Sequence, residues 1–297
     1  MSAEPITVPQ HDMVRLVGVA LTEDLPAGDA TTDHLFRSPL QALGIIRAKQ
    51  ALTVAGVAVA VETFRQVDAT LRVTPHVADG QSVQTGVPLA TIQGDGRAIL
   101  KGERVALNFM QRLSGIATLT AKFCEAVNGT GVRILDTRKT TPGLRALEKW
   151  AVRLGGGWNH RRSLSEAFML KDNHLLLAAT AGLSVTDCCR TLRAQGPRGL
   201  RLTVEVDRMD QVLPAVEGGP DVILLDNMSP AQVRQAVALI ASRTETEVSG
   251  GITLATIRAY AEAGPTYISI GALTHSAPAV DISLDFLPSR NTDPSQA

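Results

Sequence analysis

The sequence predicts an α/β protein in which a two-layer domain of strands and helices precedes a TIM-like α/β barrel. Strand-like segments surround a helical stretch over residues 42–94, and one long helical pattern follows over 97–127. From residue 132 onward, short apolar segments alternate with helical stretches at intervals of about 20 to 35 residues, which is typical of a parallel sheet. A chain of 297 residues is long enough for about two such domains.

The N-terminal region supplies the elements of the first domain. Apolar residues at helical spacing predict a helix over 11–21, which the turn-rich segment 21–32 ends. A helix over 56–67 interrupts the strands, so a sheet with helices on one side fits this region. Residues 1–10 and 288–297 are rich in Pro, Ser, Thr and Gln, and we expect them to be frayed tails.

Apolar segments in the second half predict the strands of the barrel. They are apolar on both faces, as buried parallel strands are. Each ends in a charged, polar or glycine residue, and a barrel brings all such ends to one mouth, whereas an open doubly wound sheet concentrates them at one switch point. The pattern therefore favours the barrel. The segments are 132–136, 167–171, 202–206, 222–226, 246–249 and 267–270.

Composition excludes several classes of function. Lys plus Arg equals Asp plus Glu at 29 each, and aromatic residues make up 3% of the chain, so we expect neither a nucleic-acid partner nor a membrane surface. The N-terminus lacks a basic region followed by an apolar run, and no apolar run reaches the roughly 18 residues of a membrane span. Cys124, Cys188 and Cys189 are expected to be buried thiols of a protein in the reducing cytoplasm.

A group of cations marks the candidate site. Arg offers a planar fork that matches carboxylate and phosphate, and Lys offers a mobile point charge. Any one of these residues could be a solvated surface charge, but three of them stand directly at strand ends. Together they predict a pocket for a small and heavily anionic substrate. The group comprises Arg138, Lys139, His160, Arg161 and Lys171.

Two carboxylates and two glycine turns complete the constellation. Glu205 and Asp226 end apolar segments, where they could hold a ribose hydroxyl or hydrated Mg²⁺, or form a salt bridge that orders Lys171 or Arg138. Amides in the last two strand–helix loops of a barrel often bind phosphate. His275 is either a further phosphate contact or a surface histidine. The loop residues are Ser249, Gly250, Gly251, Gly271 and Ala272.

Longer motifs carry a resemblance to the quinolinate phosphoribosyltransferase family, over nearly the whole chain. Motifs of this length in this order are highly specific. They are EDLPAGDATT (23–32), ERVALNFMQRLSGIAT (103–118), LDTRKTTPGLR (135–145), GGGWNHR (155–161), LKDNH (170–174), VEVD (204–207), LLDNMSP (224–230), EVSGGI (247–252) and YISIGALTHSAPAVDISLDF (267–286).

The resemblance implies a reaction and an architecture. Quinolinate and 5-phosphoribosyl 1-pyrophosphate would give nicotinate mononucleotide, pyrophosphate and CO₂, with Mg²⁺ as the only cofactor. The fold would be an α/β sandwich over 1–115, joined by 276–297, and an incomplete barrel over 116–275. The chain would form a homodimer, with a hexamer left open, in which Arg104 reaches the partner's barrel mouth.

The resemblance also assigns roles to residues. The catalytic set would be Lys139, Lys171, Glu205 and Asp226. Residues that bind the two carboxylates of quinolinate would be Arg104, Arg138, His160, Arg161 and Lys171. Thr137 would also contact substrate. Lys139 and Lys171 would face the pyrophosphate, and the two glycine loops would hold the 5-phosphate. Glu205 and Asp226 would bind the ribose hydroxyls and Mg²⁺, directly or through water.

Three alternatives remain open at this point. A related phosphoribosyltransferase could use another acceptor, although a neutral acceptor would not need so many cations. A barrel aldolase could use Lys171 as a Schiff-base amine. A non-catalytic ligand-binding protein is the third alternative, although such a protein has no need of both carboxylates and every cation.

Overall fold

The computed structural model describes residues 7–287, which cluster into two compact units. Unit 1 contains residues 7–119, Thr141–Gly155 and 277–287, and unit 2 contains Thr120–Thr140 and Gly156–Ser276. The segment Thr141–Gly155, which the sequence-based boundaries placed in the barrel domain, therefore clusters with unit 1. The expected frayed tails, residues 1–6 and 288–297, lie outside the described residues.

The first part of the chain alternates short strands with helices and ends in one long helix. In chain order the elements are α1 (Gln10–Asp24), α2 (Ala30–Leu35), β1 (Gln41–Ala48), β2 (Leu52–Thr53), α3 (Val57–Val67), β3 (Arg72–Pro75), β4 (Ser82–Val83), β5 (Pro88–Asp95) and α4 (Gly96–Ala126).

The second part alternates strands and helices down to a final strand. Its elements are β6 (Arg133–Leu135), α5 (Arg145–Leu154), β7 (Phe168–Leu170), α6 (Asp172–Thr180), α7 (Val185–Gln195), β8 (Leu202–Val206), α8 (Val212–Glu217), β9 (Val222–Asp226), α9 (Pro230–Ile240), β10 (Glu245–Ser249), α10 (Ile257–Ala261), β11 (Tyr267–Ser269), α11 (Ala272–His275) and β12 (Ile282–Leu287).

Unit 1 is built on an antiparallel sheet with the strand order β12-β1-β5-β3 among its described residues. Strand β12 pairs with β1 from Leu43↔Leu287 to Ala48↔Ile282, which ties the C-terminal strand into this sheet. Fully buried Ile46 and Ile92 pack with Phe64 of α3 in the core of the unit. Burial of these apolar faces is the main favourable term for the sandwich.

Helix α5 explains why Thr141–Gly155 belongs to unit 1. Its apolar face is buried at Leu147, Ala151 and Val152, and it packs against α1. Glu148, which is fully buried, accepts hydrogen bonds from Arg112 of α4 and from the Thr141 hydroxyl. Periodicity predicts that such a helix has a buried face, but it does not say which domain covers that face.

Unit 2 is a parallel sheet with the strand order β6-β11-β10-β9-β8-β7. Among the described residues its two edge strands, β6 and β7, do not pair with each other, so hydrogen bonds do not close the barrel. Trp158 adds a single parallel bridge to Leu135 at the β6 edge. This is the incomplete barrel that was expected, with every strand end directed to the same rim.

Among residues 7–287 no single helix is long and apolar enough to cross a membrane. Helices α6 and α7 would be long and apolar enough only if they were counted together, and the chain bends by 98° between them.

Candidate active site

The carboxyl ends of the strands of unit 2 gather most of the predicted site residues. Lys171 directly follows β7, Glu205 lies near the end of β8, and Asp226 and Ser249 end β9 and β10. Asp226 pairs in register with Ser249, so these two side chains stand at the same level of the sheet. The polar residues that follow the apolar strands in the sequence therefore lie together at one rim.

Lys171 and Glu205 form an ion pair at this rim. The Lys171 ammonium donates a hydrogen bond of 2.5 Å to Glu205 Oε2. The side chain of Glu205 is only 13% exposed, so the pair is partly shielded from water. The expected salt bridge that orders Lys171 is thus present. It leaves Glu205 with a second carboxylate oxygen for other contacts.

Asp226 interacts electrostatically with the same groups. Burial raises the pKa of Asp226 first, and the negative charge of Glu205 raises it further, while the cations Lys171 and Lys139 oppose the rise. A carboxylate that lies close to another negative charge is a suitable place for a positive charge. The arrangement favours binding of a cation or of a substrate whose charge becomes more positive during reaction.

The glycine turn after β10 has a backbone that other residues rarely adopt. Gly250 has φ +105° and Gly251 has φ +60°. A Cβ atom on Gly250 would lie 2.1 Å from Asn227 Oδ1, whereas one on Gly251 would meet open space. The next helix, α10, begins only at Ile257, so the turn is a partly exposed loop and not the first turn of a helix.

Lys139 and Gly271 lie side by side at the next loop. The Thr274 hydroxyl donates a hydrogen bond of 2.8 Å to the Lys139 carbonyl oxygen. A Cβ atom on Gly271 would come within 3.0 Å of Lys139 Cδ and 3.2 Å of the His275 ring. Gly271 precedes the short helix that starts at Ala272. The second predicted phosphate loop, Gly271 and Ala272, therefore lies next to the side chain of Lys139.

Asp136 anchors the segment that carries His160. It is fully buried, and it accepts hydrogen bonds from Asn159 Nδ2 at 2.6 Å and from the His160 backbone N–H at 2.8 Å. The Arg161 backbone N–H donates to His160 Nδ1 at 2.7 Å. These hydrogen bonds fix the orientation of the His160 ring. Its Nδ1 accepts a hydrogen bond, and its Nε2 takes no part in these contacts.

Arg138 is close enough to Arg161 for the two positive charges to interact. Burial lowers the pKa of Arg161, and the positive charge of Arg138 lowers it further. Arg161 also donates a hydrogen bond of 2.8 Å to the Ala167 carbonyl oxygen, which fixes its side chain. Two guanidinium groups in mutual repulsion gain stability when an anion binds to them.

Two site residues were missed by sequence reasoning. Glu247 of β10 is 2% exposed, its Oε2 lies 3.5 Å from His160 Nε2, and its Oε1 has no hydrogen-bond partner among the described residues. The sequence feature that could have identified Glu247 is a glutamate inside a buried strand. In the sheet, Glu247 and Glu205 both pair with Leu224. Asn227 is the other, and it contacts Asp226 and Gly250. The sequence feature that could have identified Asn227 is its position as a polar residue directly after the strand end LLD.

Arg104 belongs to unit 1, whereas the other predicted site residues belong to unit 2. It is exposed on α4. Together with Glu23 and Asp24 it lines a cavity of about 200 Å³, whose other walls include Phe109 and Leu147.

The residues present fit a divalent cation that is shared with a substrate. No group of three or more His, Cys, Asp and Glu suited to a metal ion occurs in the described part of the chain. Mg²⁺, however, is often bound by one or two carboxylates together with substrate phosphates. Glu205 and Asp226 provide such a pair, and a cation would offset the two causes that raise the pKa of Asp226, which are burial first and then the negative charge of Glu205.

Comparison with known proteins gives a consistent result. The family model "Quinolinate phosphoribosyl transferase, N-terminal domain" matches residues 29–114, and the model of the C-terminal domain matches residues 116–285. The nicotinate-nucleotide pyrophosphorylase [carboxylating] of Mycobacterium leprae is 42% identical over 272 residues, covering 90% of this chain and 94% of that protein. The probable nicotinate-nucleotide pyrophosphorylase [carboxylating] of Bacillus subtilis is 40% identical over 271 residues, covering 91% and 92%.

A solved structure agrees over almost the whole chain. The nicotinate-nucleotide pyrophosphorylase from Francisella tularensis superposes with a TM-score of 0.90 at 32% identity, covering 96% of this chain and 100% of that one.

Proposed function

Because the chain belongs to the quinolinate phosphoribosyl transferase family, we propose that it converts quinolinate and 5-phosphoribosyl 1-pyrophosphate to nicotinate mononucleotide, pyrophosphate and CO₂, in NAD biosynthesis. The observation that carries the proposal is one rim at which the Lys171–Glu205 ion pair and Asp226 stand beside a glycine turn. This rim offers cations for a diacid, carboxylates for a ribose and backbone amides for a phosphate.

Quinolinate would bind through the cations. Its two carboxylates match the forked donors of Arg138 and Arg161, whose mutual repulsion an anion relieves. His160, Lys171 and Thr137 would complete the contacts within the barrel domain. Charge-assisted hydrogen bonds of this kind contribute roughly 1.5–3 kcal/mol each.

The phosphoribosyl substrate would lie across the carboxylates and the two glycine loops. Its 5-phosphate would rest on amides of residues 249–251 and of Gly271 and Ala272, since backbone N–H groups in such loops bind anions. Lys139 and Lys171 would face the pyrophosphate. Glu205 and Asp226 would hold the ribose hydroxyls and Mg²⁺, and bound Mg²⁺ would neutralise charge on the leaving pyrophosphate.

Catalysis would be mainly electrostatic. The ring nitrogen of quinolinate attacks C1 of the ribose while the bond to pyrophosphate breaks, and pyrophosphate leaves with the bonding electrons. Glu205 and Asp226 stabilise the positive charge that develops on the sugar, and groups positioned in advance for such charge are usually the largest catalytic contribution. The alkylated nitrogen is cationic, so the C2 carboxylate leaves as CO₂. The electron pair stays on C2 beside that nitrogen, and a solvent proton completes nicotinate mononucleotide.

We also propose a homodimer, alone or within a hexamer, in which Arg104 of one subunit completes the site of the other. The exposed position of Arg104 on α4 supports this part of the proposal. A cytoplasmic location is proposed from the thiols. Cys188 and Cys189 are buried, all three cysteines are free, and burial raises the pKa of Cys124 and of Cys189 to about 11, which keeps both thiols unreactive.

One assay tests the proposal. Purified protein is given quinolinate labelled in the C2 carboxylate, 5-phosphoribosyl 1-pyrophosphate and Mg²⁺, and released CO₂ is measured, with nicotinate as the control acceptor. We expect release that requires all three components and no nicotinate mononucleotide from nicotinate. Folded protein that consumes no quinolinate would refute the proposal. Borohydride trapping at Lys171 would instead support the aldolase alternative.

A further inference from the structure

Asn227 has an unusual backbone conformation directly beside the proposed site. It is the first residue after β9 and has φ +55°. The other non-glycine residues with positive φ in the described chain are Ala241 and Ser242. Those two follow the end of α9, where a left-handed residue commonly ends a helix. Asn227 has no helix end to explain it, and left-handed residues of this kind are concentrated at functional sites.

The backbone of Asn227 joins two strands of the barrel. Its N–H donates a hydrogen bond of 2.9 Å to the Ser249 carbonyl oxygen. The regular pairing of β9 with β10 ends at Asp226↔Ser249, so this bond continues the connection one residue beyond the strands. It fixes the start of the glycine turn relative to the end of β9.

The side chain of Asn227 lies between the carboxylate of Asp226 and the glycine turn. Its Nδ2 donates a hydrogen bond of 2.7 Å to Asp226 Oδ2. Its Oδ1 is so close to Gly250 that a Cβ atom there would lie 2.1 Å away. One amide therefore orients the carboxylate on one side and packs against the turn backbone on the other.

We propose that Asn227 is a positioning residue that sets the separation between Asp226 and the glycine turn, residues 249–251. The inference rests on the proposed function, in which Asp226 meets the ribose and the turn meets the 5-phosphate of the same substrate molecule. Because the ribose hydroxyls and the 5-phosphate are joined by a short covalent link, which limits their separation, an error in the spacing of Asp226 and the turn weakens binding of that substrate. Binding of the pyridine diacid, which uses the arginines, is affected little.

The chemistry of an amide, not of a carboxylate, is required at this position. The Nδ2 group donates to the carboxylate of Asp226, and the negative charges of Asp226 and Glu205 already act on each other. An aspartate would adopt the same left-handed backbone but would place a third negative charge against this pair. A glycine would keep the backbone and its bond to Ser249 but would remove both side-chain contacts. These two replacements separate the loss of contact from the gain of repulsion.

The experiment compares Asn227→Gly and Asn227→Asp with the control Ser242→Gly, which relieves a left-handed φ at the opposite ends of the strands. Calorimetry with 5-phosphoribosyl 1-pyrophosphate and Mg²⁺ gives the Kd, and steady-state kinetics give KM for each substrate. We expect the Kd to rise about tenfold in Asn227→Gly, as for loss of one hydrogen bond to a charged group, and further in Asn227→Asp. We expect KM for quinolinate to stay within about threefold and Ser242→Gly to match wild type in both.

Two results would overturn the inference. One is an unchanged Kd in both Asn227 variants. The other is an equal loss of affinity for both substrates together with a fall in Tm, which is the behaviour of a residue that only supports the fold. Wild-type protein that fails to bind 5-phosphoribosyl 1-pyrophosphate would refute the proposed function itself, and this inference with it. The wild-type titration therefore distinguishes the two failures.

Discussion

Lys171 Nζ lies 2.5 Å from Glu205 Oε2, and this contact joins the ends of β7 and β8 at the rim of the barrel. The lysine is half exposed and the glutamate is largely buried. The pair therefore holds a cation next to Asp226, whose pKa is raised by burial and by Glu205, while the Lys171 charge partly opposes the rise. The charge balance among Lys171, Glu205 and Asp226 determines how substitutions of Lys171 and Asp226 should affect activity and stability.

Lys171→Met should abolish most of the activity. The change keeps the aliphatic chain but leaves Glu205 and Asp226 without the nearest cation. Loss of one preorganised charge at a transition state typically lowers kcat by about 10²–10³-fold, and we expect this range. Steady-state kinetics check it. Arg258→Gln, which breaks an exposed ion pair with Glu262 in the same unit, is the control and should behave as wild type. Equal kinetics in both variants would contradict the assignment of Lys171.

Asp226→Asn should stabilise the protein at neutral pH while it destroys activity. Burial raises the pKa of Asp226 above its ordinary value of 3.8, so stability falls as the pH rises from the ordinary pKa to the raised one, and the full cost persists at higher pH. The asparagine variant avoids that cost. We expect its Tm at pH 7 to exceed that of wild type.

The difference in Tm should depend on pH. As the pH falls through the raised pKa toward the ordinary pKa of 3.8, the Asp226 carboxyl becomes protonated first in the folded and then in the unfolded wild-type protein, so the two Tm values should converge. Thermal melts between pH 4 and pH 8 measure the convergence. A difference in Tm that is independent of pH would show that packing, not ionisation, is responsible.

Gly250→Ala should be much more harmful than Gly251→Ala. Both residues have positive φ, so each alanine costs about 1–2 kcal/mol in backbone energy. Only at Gly250 does the added Cβ collide with Asn227, including its backbone nitrogen at 2.8 Å. We expect Gly250→Ala to lose a further ~1–3 kcal/mol of unfolding free energy, as overpacked sites do. Denaturant titration of both variants measures the difference, and equal losses would exclude the collision.

Arg138→Ala should impair quinolinate binding selectively. Loss of one or two charge-assisted hydrogen bonds at roughly 1.5–3 kcal/mol each raises KM for quinolinate at least about tenfold. The Kd for 5-phosphoribosyl 1-pyrophosphate should change little. Arg162→Ala is a matched control, because that arginine is exposed and contacts Glu166. A wild-type KM for quinolinate in Arg138→Ala would refute the carboxylate assignment.

Mixing inactive variants tests the shared site. Arg104→Ala and Glu205→Ala proteins, mixed in equal amounts with confirmed subunit exchange, form hybrids in which one site carries both substitutions and the other carries none. Random pairing gives hybrids in about half of the dimers, so we expect about one quarter of wild-type activity. Each variant alone should stay inactive. No recovery after exchange would refute a site built from two subunits.

Local pattern was sufficient for the architecture, and it predicted that most of the candidate site residues follow the strands of one sheet. Apolar segments that end in LDTRK, MLKDNH, VEVD, LLDN and VSGG predicted a parallel barrel with its chemistry at one rim, and the structure confirms the barrel architecture. The reason is that parallel strands all place their carboxyl ends on the same side. Residues that follow an apolar strand are therefore identified as neighbours before any contact is known.

Contacts at right angles to the strands were not predictable. Nothing in the periodicity of α5 assigns it to unit 1, because its buried face is complementary to any apolar surface. Glu247 faces His160 because the chain returns beside β6 at Trp158 and Asp136 then holds the His160 backbone. These relationships depend on how chain segments distant in sequence pack.

The sequence by itself determined which side chains are available at the rim: the cations, Glu205 and Asp226, and the two glycine loops, because order along a strand is a local property. Only the tertiary structure decided how they are coupled. The Lys171–Glu205 contact, the raised pKa of Asp226 and the fit of Asn227 against Gly250 depend on distances between neighbouring strands. Those distances follow from packing and from the register of β7 to β10, which no local pattern encodes.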